Sequence, residues 1–206
     1  MRLWLAAVPL LGLTAQESPQ FYNERGSRAF KEGRIEDSIR DFDMAIKLEP
    51  RYAPEHWQRG ISLYYVARFD DCRKQFEIHK TVNPEDVENA VWHYLCVARL
   101  KNPGEARKGL IPIQSDTRIP MMEVYAMFRG ESTPEKVLET ARRGNPAERE
   151  LHVRLFYSHL YIGLYLEAQG DKSGALKHIG LAAEKYPVGH YMWDVARVHV
   201  ERAKGK

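Results

Sequence analysis

The sequence predicts an all-α protein, built from antiparallel helix pairs stacked as a short superhelical solenoid. Three observations carry that expectation. The stretches 33–50, 67–84 and 170–187 place a small residue, a large residue and a closing proline at the same offsets. Gly26, Gly60 and Gly163 each stand twelve positions before the small residue of their stretch, namely Ser38, Cys72 and Ala175. Elsewhere apolar residues recur at helical spacing, and no segment shows the alternation of a half-buried strand.

Composition bounds the rest. With 206 residues, 44% of them hydrophobic, the chain has apolar material for a substantial core in one domain. A net charge of +3 is spread over both signs without a block of like charge, so a nucleic-acid partner is not expected. Residues 1–15, MRLWLAAVPLLGLTA, hold one basic residue, an apolar run and a final small residue. The run is shorter than the roughly 20 residues a membrane helix needs. It reads as a secretory signal cleaved after Ala15, giving an exported protein, periplasmic or secreted, with no integral membrane segment.

The mature chain enters its first helix at once. Ser18 caps free amides, and Pro19 occupies the first turn, where a missing N–H costs nothing. Two helix pairs follow, at about 19–52 and 53–86. In each, a mid-helix glycine facing a small residue lets the axes approach to about 8 Å. Phe42 or Phe76 then fills the groove, and Pro50 or Pro84 ends the pair. Residues 87–155 are helical but irregular. Val87, Val91, Tyr94, Leu95 and Ala98 share a face, with Tyr94 at the glycine position. A helix ends at Gly130, and Thr133-Pro134 opens another. Asn145, Pro146 and Glu148 resemble a capping box leading into the third pair at about 156–189, and 190–203 is an amphipathic capping helix.

Signals for chemistry are sparse. Eight histidines invite a metal site, but there is no His-Glu-x-x-His helix and no finger-spaced cysteine pair. Glu148 and His152, and likewise His190 and Asp194, sit one turn apart and read as surface pairs. With no phosphate-binding glycine loop and no G-x-S-x-G elbow, catalytic residues, metals and cofactors are not expected. Cys72 and Cys96 read as small buried apolar residues. Although an oxidising compartment would let them join, the helical phase does not set Cys96 squarely opposite Cys72, so they are expected to stay unpaired.

The spaced glycine, small residue, aromatic or aliphatic residue and proline resemble the tetratricopeptide repeat, whose period is about 34 residues. Arg25 and Arg59 stand where that family usually has an aliphatic residue, and His79 where it usually has alanine. The order of two repeats, a half-repeat with Trp92-His93-Tyr94-Leu95, irregular helices including 122–130, and a late repeat resembles NlpI-type bacterial envelope proteins. That resemblance implies a non-enzymatic adaptor that docks envelope proteases and peptidoglycan hydrolases, often as a homodimer. The lipid-attachment cysteine usual in that family is missing after the apolar run.

The resemblance also implies which side chains line the concave face. They are Asn23, Ser27 and Phe30 from the first repeat, and Trp57, Ile61 and Tyr64 from the second. The half-repeat adds Val91 and Leu95, and the third repeat Tyr157 and Leu160. This apolar, aromatic set suits a protein or peptide partner, with Trp57 and Tyr64 as anchors. Self-association through the same face is the alternative. Whether the groove is open, or filled by Met121, Met122, Tyr125 and Phe128, is left to the structure. The chaperone-tail clamp of other tetratricopeptide proteins is not matched at Asn23, Ser27, Gln58 and Trp92.

Overall fold

A computed structural model describes residues 18–205; the expected leader at 1–15 lies outside the described residues. All regular structure among them is helical. The first pair is α1 (Pro19–Lys31) and α2 (Ile35–Leu48), and a 3-10 helix (Pro50–Glu55) leads to α3 (Trp57–Tyr65) and α4 (Phe69–His79). The middle comprises α5 (Val87–Leu100), α6 (Pro103–Lys108), α7 (Met121–Arg129) and α8 (Pro134–Arg142). The C-terminal part is α9 (Glu148–Ala168), α10 (Lys172–Glu184) and α11 (Tyr191–Lys204). Helices adjacent in sequence pack mostly as neighbours in space.

Local chemistry sets the helix limits. Phe21 N donates to Ser18 Oγ at 3.1 Å, and Pro19 fills the first helical position. The turn between paired helices uses a left-handed residue three times: Gly33 (φ 75°), Ala67 (φ 60°) and Gly170 (φ 91°). Glycine adopts this conformation freely, whereas Ala67 holds it at a cost of about 1 kcal/mol.

Within each pair the helices close on a hydrogen atom. A Cβ on Gly26 would lie 2.9 Å from the Phe42 ring, and one on Gly60 would lie 2.8 Å from the Phe76 ring. A Cβ on Gly163 would meet Ala175 O at 2.9 Å, with the Ile179 side chain closer still. Each glycine thus meets the large residue sixteen positions on, and all three large residues are buried. The helices pair as expected, but each glycine meets the large side chain rather than the small one, which approaches only through its backbone carbonyl at Ser38 and Ala175.

Between pairs, the contacts repeat in register. Ser38 Oγ and Ser62 Oγ are 3.0 Å apart and fully buried, joining α2 to α3. The corresponding residues one repeat later are Cys72 and Cys96, which join α4 to α5 as a disulfide with Cα atoms 5.9 Å apart. The expectation of unpaired cysteines is therefore corrected. The small residue on the second helix of a pair faces forward to the next pair, which brings Cys96 opposite Cys72. The ion pair Arg59 Nε–Asp43 (2.6 Å) has as its counterpart one repeat on the contact His93 Nε2–Glu77 (3.4 Å), in which burial lowers the imidazole's pKa. Arg25 and Arg59, unusual for the resembled family, bind Asp41 and Gln75 on their partner helices.

The register breaks at Tyr94. A phenol stands where the first two pairs have glycine, and it packs edge-on to Phe128 of α7 at 5.0 Å. A ring leaves no room for a close partner helix; α6 has only 6 residues, and α7 packs on α5 as well. Met121 and Phe128 are buried against α5 and α9, so these side chains do not plug the inner face of α1 and α3. The chain's own end does. Tyr191 of α11 stacks on Phe30 at 5.1 Å, Tyr65 Oη meets His199 Nδ1 at 3.1 Å, and Arg202 donates to Tyr65 O at 3.0 Å. Lys31 Nζ binds Asp194 at 3.3 Å, and Tyr64 Oη donates to Glu167 of α9 at 3.1 Å.

Two measurements check this packing. Cys72→Ala with Cys96→Ala should lower the urea unfolding free energy by about 3 kcal/mol, the chain-entropy value for a loop of this length. Gly163→Ala should destabilise by about 1–3 kcal/mol through overpacking. Gly180→Ala, on the open side of α10 where a Cβ meets nothing within 4 Å, should instead stabilise by a few tenths to about 1 kcal/mol. The two alanine variants therefore move thermal midpoints in opposite directions.

Candidate functional site

The side chains expected to line a concave face divide into two groups. Phe30, Ile61, Tyr64, Val91, Leu95 and Leu160 are buried in the core and offer no surface to a partner in this structure. Asn23, Ser27, Trp57 and Tyr157 stay half-buried. Trp57 alone of the ten borders the cavity with the most distinctive chemistry.

That cavity, of about 220 Å³, opens where the end of α4, the start of α5, the loop before α7 and the start of α11 converge. Its rings come as two stacked pairs: Trp57 on His190 (centroids 6.5 Å apart) and Phe76 on Trp92 (6.3 Å). Phe76 and Trp92 lie one turn from Cys72 and Cys96, so the disulfide fixes the helices that carry the second pair. Glu88, Asn89 and Trp92 share one face of α5 by their three- and four-residue spacing, and all three border the cavity.

Its polar lining is uneven. Asn89 and Trp92 are 2% and 1% exposed, yet Asn89 Oδ1, Asn89 Nδ2 and Trp92 Nε1 have no hydrogen-bond partner. Buried polar groups are normally paired, because each unpaired one costs about 1–3 kcal/mol. Arg118 is the opposite case. Its guanidinium binds Glu88 (2.6 Å), Asp86 (2.5 Å) and Asp116 (2.5 Å), three carboxylates around one cation.

The electrostatics follow from burial and neighbours. Burial, and then the Asp86 charge, push the Glu88 carboxyl above the usual carboxylate range despite the Arg118 contact and the hydrogen bond donated by Tyr161. Burial opposes the Arg118 charge, but the Asp116 hydrogen bond and the Glu88 and Asp86 charges raise its pKa further. Burial and the Arg118 charge lower the pKa of His190. His190 Nδ1 accepts from Met192 N at 3.3 Å, capping α11, which places the ring proton of the neutral imidazole on Nε2.

The ionisable groups of the lining are the carboxylates Asp86 and Glu88, the imidazoles His79 and His190, and Arg118. The same lining has no hydroxyl or thiol nucleophile. The spaced histidine pairs make other contacts: His152 Nε2 meets Pro187 O at 2.9 Å, and Asp194 binds Lys31 and Arg197. Among the described residues no three His, Cys, Asp or Glu side chains gather as a metal-binding group, and no helix is long and apolar enough to cross a membrane.

Sequence reading missed Asn89, Asp86, Arg118 and His190 as lining residues. Asn89 carried a usable signal, an amide three residues before Trp92 in an otherwise apolar helix. Arg118 carried none, because its place depends on how a loop folds back onto α5.

Replacing Asn89 by leucine removes two unpartnered polar atoms at similar volume. Asn89→Leu should raise the urea unfolding free energy by about 1 kcal/mol or more, whereas a structurally required asparagine would lose stability. No family model matches the chain, so its function must be read from this geometry.

Proposed function

We propose that the chain is an exported tetratricopeptide-type adaptor, non-enzymatic, that holds a partner protein through a short segment seated in the Trp57–Asn89–Trp92 pocket. The carrying observation is a cavity walled by Trp57, Phe76 and Trp92 and bordered by Asp86, Glu88 and Arg118, with Trp57 half-buried at its edge.

The repeat assignment is supported by contacts that recur about 34 residues apart: glycine against aromatic ring, Ser38–Ser62 against Cys72–Cys96, and Asp43–Arg59 against Glu77–His93. Export is supported by the disulfide, which persists in oxidising compartments and is rare in reducing ones. Self-association through the concave face is disfavoured, because α9 and α11 already bury that face within one chain. The partner-binding role therefore shifts from the length of the groove to its one polar opening, with Trp57 half-buried at the edge.

Affinity capture from an envelope extract tests the reading. Wild type should retain proteins that Trp57→Ala and Asn89→Leu both fail to retain, while circular dichroism shows unchanged helicity. Equal capture by wild type and both variants would remove the pocket from the binding surface.

A further inference from the structure

We infer that the segment joining α10 to α11, residues 185–190, is an acid-released strap, latched to α9 by a histidine pair and carrying His190 into the pocket wall. The inference is independent of what the pocket holds. Its latch is a contact between two imidazoles. His159 Nδ1 of α9 and His178 Nδ1 of α10 lie 3.0 Å apart, a hydrogen bond in which one ring donates and the other must offer a bare lone pair. His159 is buried, and Tyr186, the second residue of the segment, stacks on its ring with centroids 5.5 Å apart and planes 9° from parallel.

The rest of the segment lies along the same helix. His152, about two turns before His159 on α9, meets the Tyr186 ring edge-on at 5.4 Å, and its Nε2 donates to Pro187 O at 2.9 Å. Further on, His190 stacks on Trp57 and caps α11 by accepting from Met192 N. Residues 185–190 carry no helix of their own. Their path from α10 to the pocket therefore depends on the rings that seat Tyr186 and Pro187 on α9.

Protonation breaks the latch. A proton on the accepting Nδ1 removes the lone pair, and two N–H groups then face each other across the same short gap. The surroundings hold that proton off. Burial, then the charges of His178, of Arg142 on α8 and of Lys185, push the His159 imidazole down to about 4. Burial and Lys177 lower the pKa of His178, while Glu135 of α8 and Asp171 before α10 favour its charged form. At the far end of the strap, burial and Arg118 lower His190, against Asp194. In the unfolded chain an imidazole takes its proton near 6.5, whereas His159 in place resists until about 4. The latch therefore gives its full stability above about pH 6.5 and loses it as pH falls from there toward about 4. Acid in that window favours the state in which the two rings have parted and Tyr186 has left His159.

Amide hydrogen exchange of the purified chain at about pH 7.5 and about pH 5, corrected for the intrinsic rate, tests the strap. Exchange across residues 185–191 should be about tenfold faster or more at the lower pH, while the amides of α2 change little. His159→Phe keeps a ring under Tyr186 but cannot ionise. His178→Gln offers His159 an amide that can donate or accept, so either charge state of His159 finds a partner. Both variants should flatten the pH dependence of exchange. A second readout needs no variant: imidazole NMR on the wild type should place one midpoint of the pair about one pH unit or more below 6.5. Equal corrected exchange at the two pH values overturns the inference. So do two midpoints near 6.5, or a His159→Phe variant that keeps the wild-type pH dependence.

Discussion

Three helix pairs, α1 with α2, α3 with α4 and α9 with α10, turn on one contact, a glycine hydrogen against the large side chain sixteen positions later. Gly26 against Phe42, Gly60 against Phe76 and Gly163 against Ile179 set the distance between paired helices. Once that distance is fixed, the second helix presents its small residue forward, and the next pair is placed by what that residue meets. A hydroxyl pair does this for α2 and α3, and a disulfide for α4 and α5. The polar pairs Arg59–Asp43 and His93–Glu77 hold the same register, each joining a largely covered cationic or imidazole side chain to a more exposed carboxylate.

The site arises where this order stops. Tyr94 excludes a full partner for α5, so the chain runs through a short α6 and a long loop before α7. That loop carries Arg118 back to the first turns of α5, and α11 returns from the far end to lay His190 beside Trp57. The pocket is therefore enclosed by segments distant in sequence, anchored on one side by the disulfide-linked pair of helices. Closure by α11 also covers Phe30 of α1 and packs on Tyr65 of α3, converting much of an expected binding groove into core.

Within the pocket the balance of forces points away from stability and toward binding. Asn89 and Trp92 are desolvated without internal partners, and Glu88 is a buried carboxyl held beside another carboxylate. Each of these lowers the stability of the free fold.

The sequence by itself determined the helices, their glycine-centred pairing and the break at Tyr94, because these depend on spacing along one or two neighbouring helices. It even held the key to the cysteines, since Ser38 and Ser62 share the separation of Cys72 and Cys96. Only tertiary structure decided that α9 and α11 cover the concave face, and that Asp86, Asn89, Arg118 and His190 converge. Such placements depend on where long loops and the final helix fold back, and the local pattern of a chain does not encode that path.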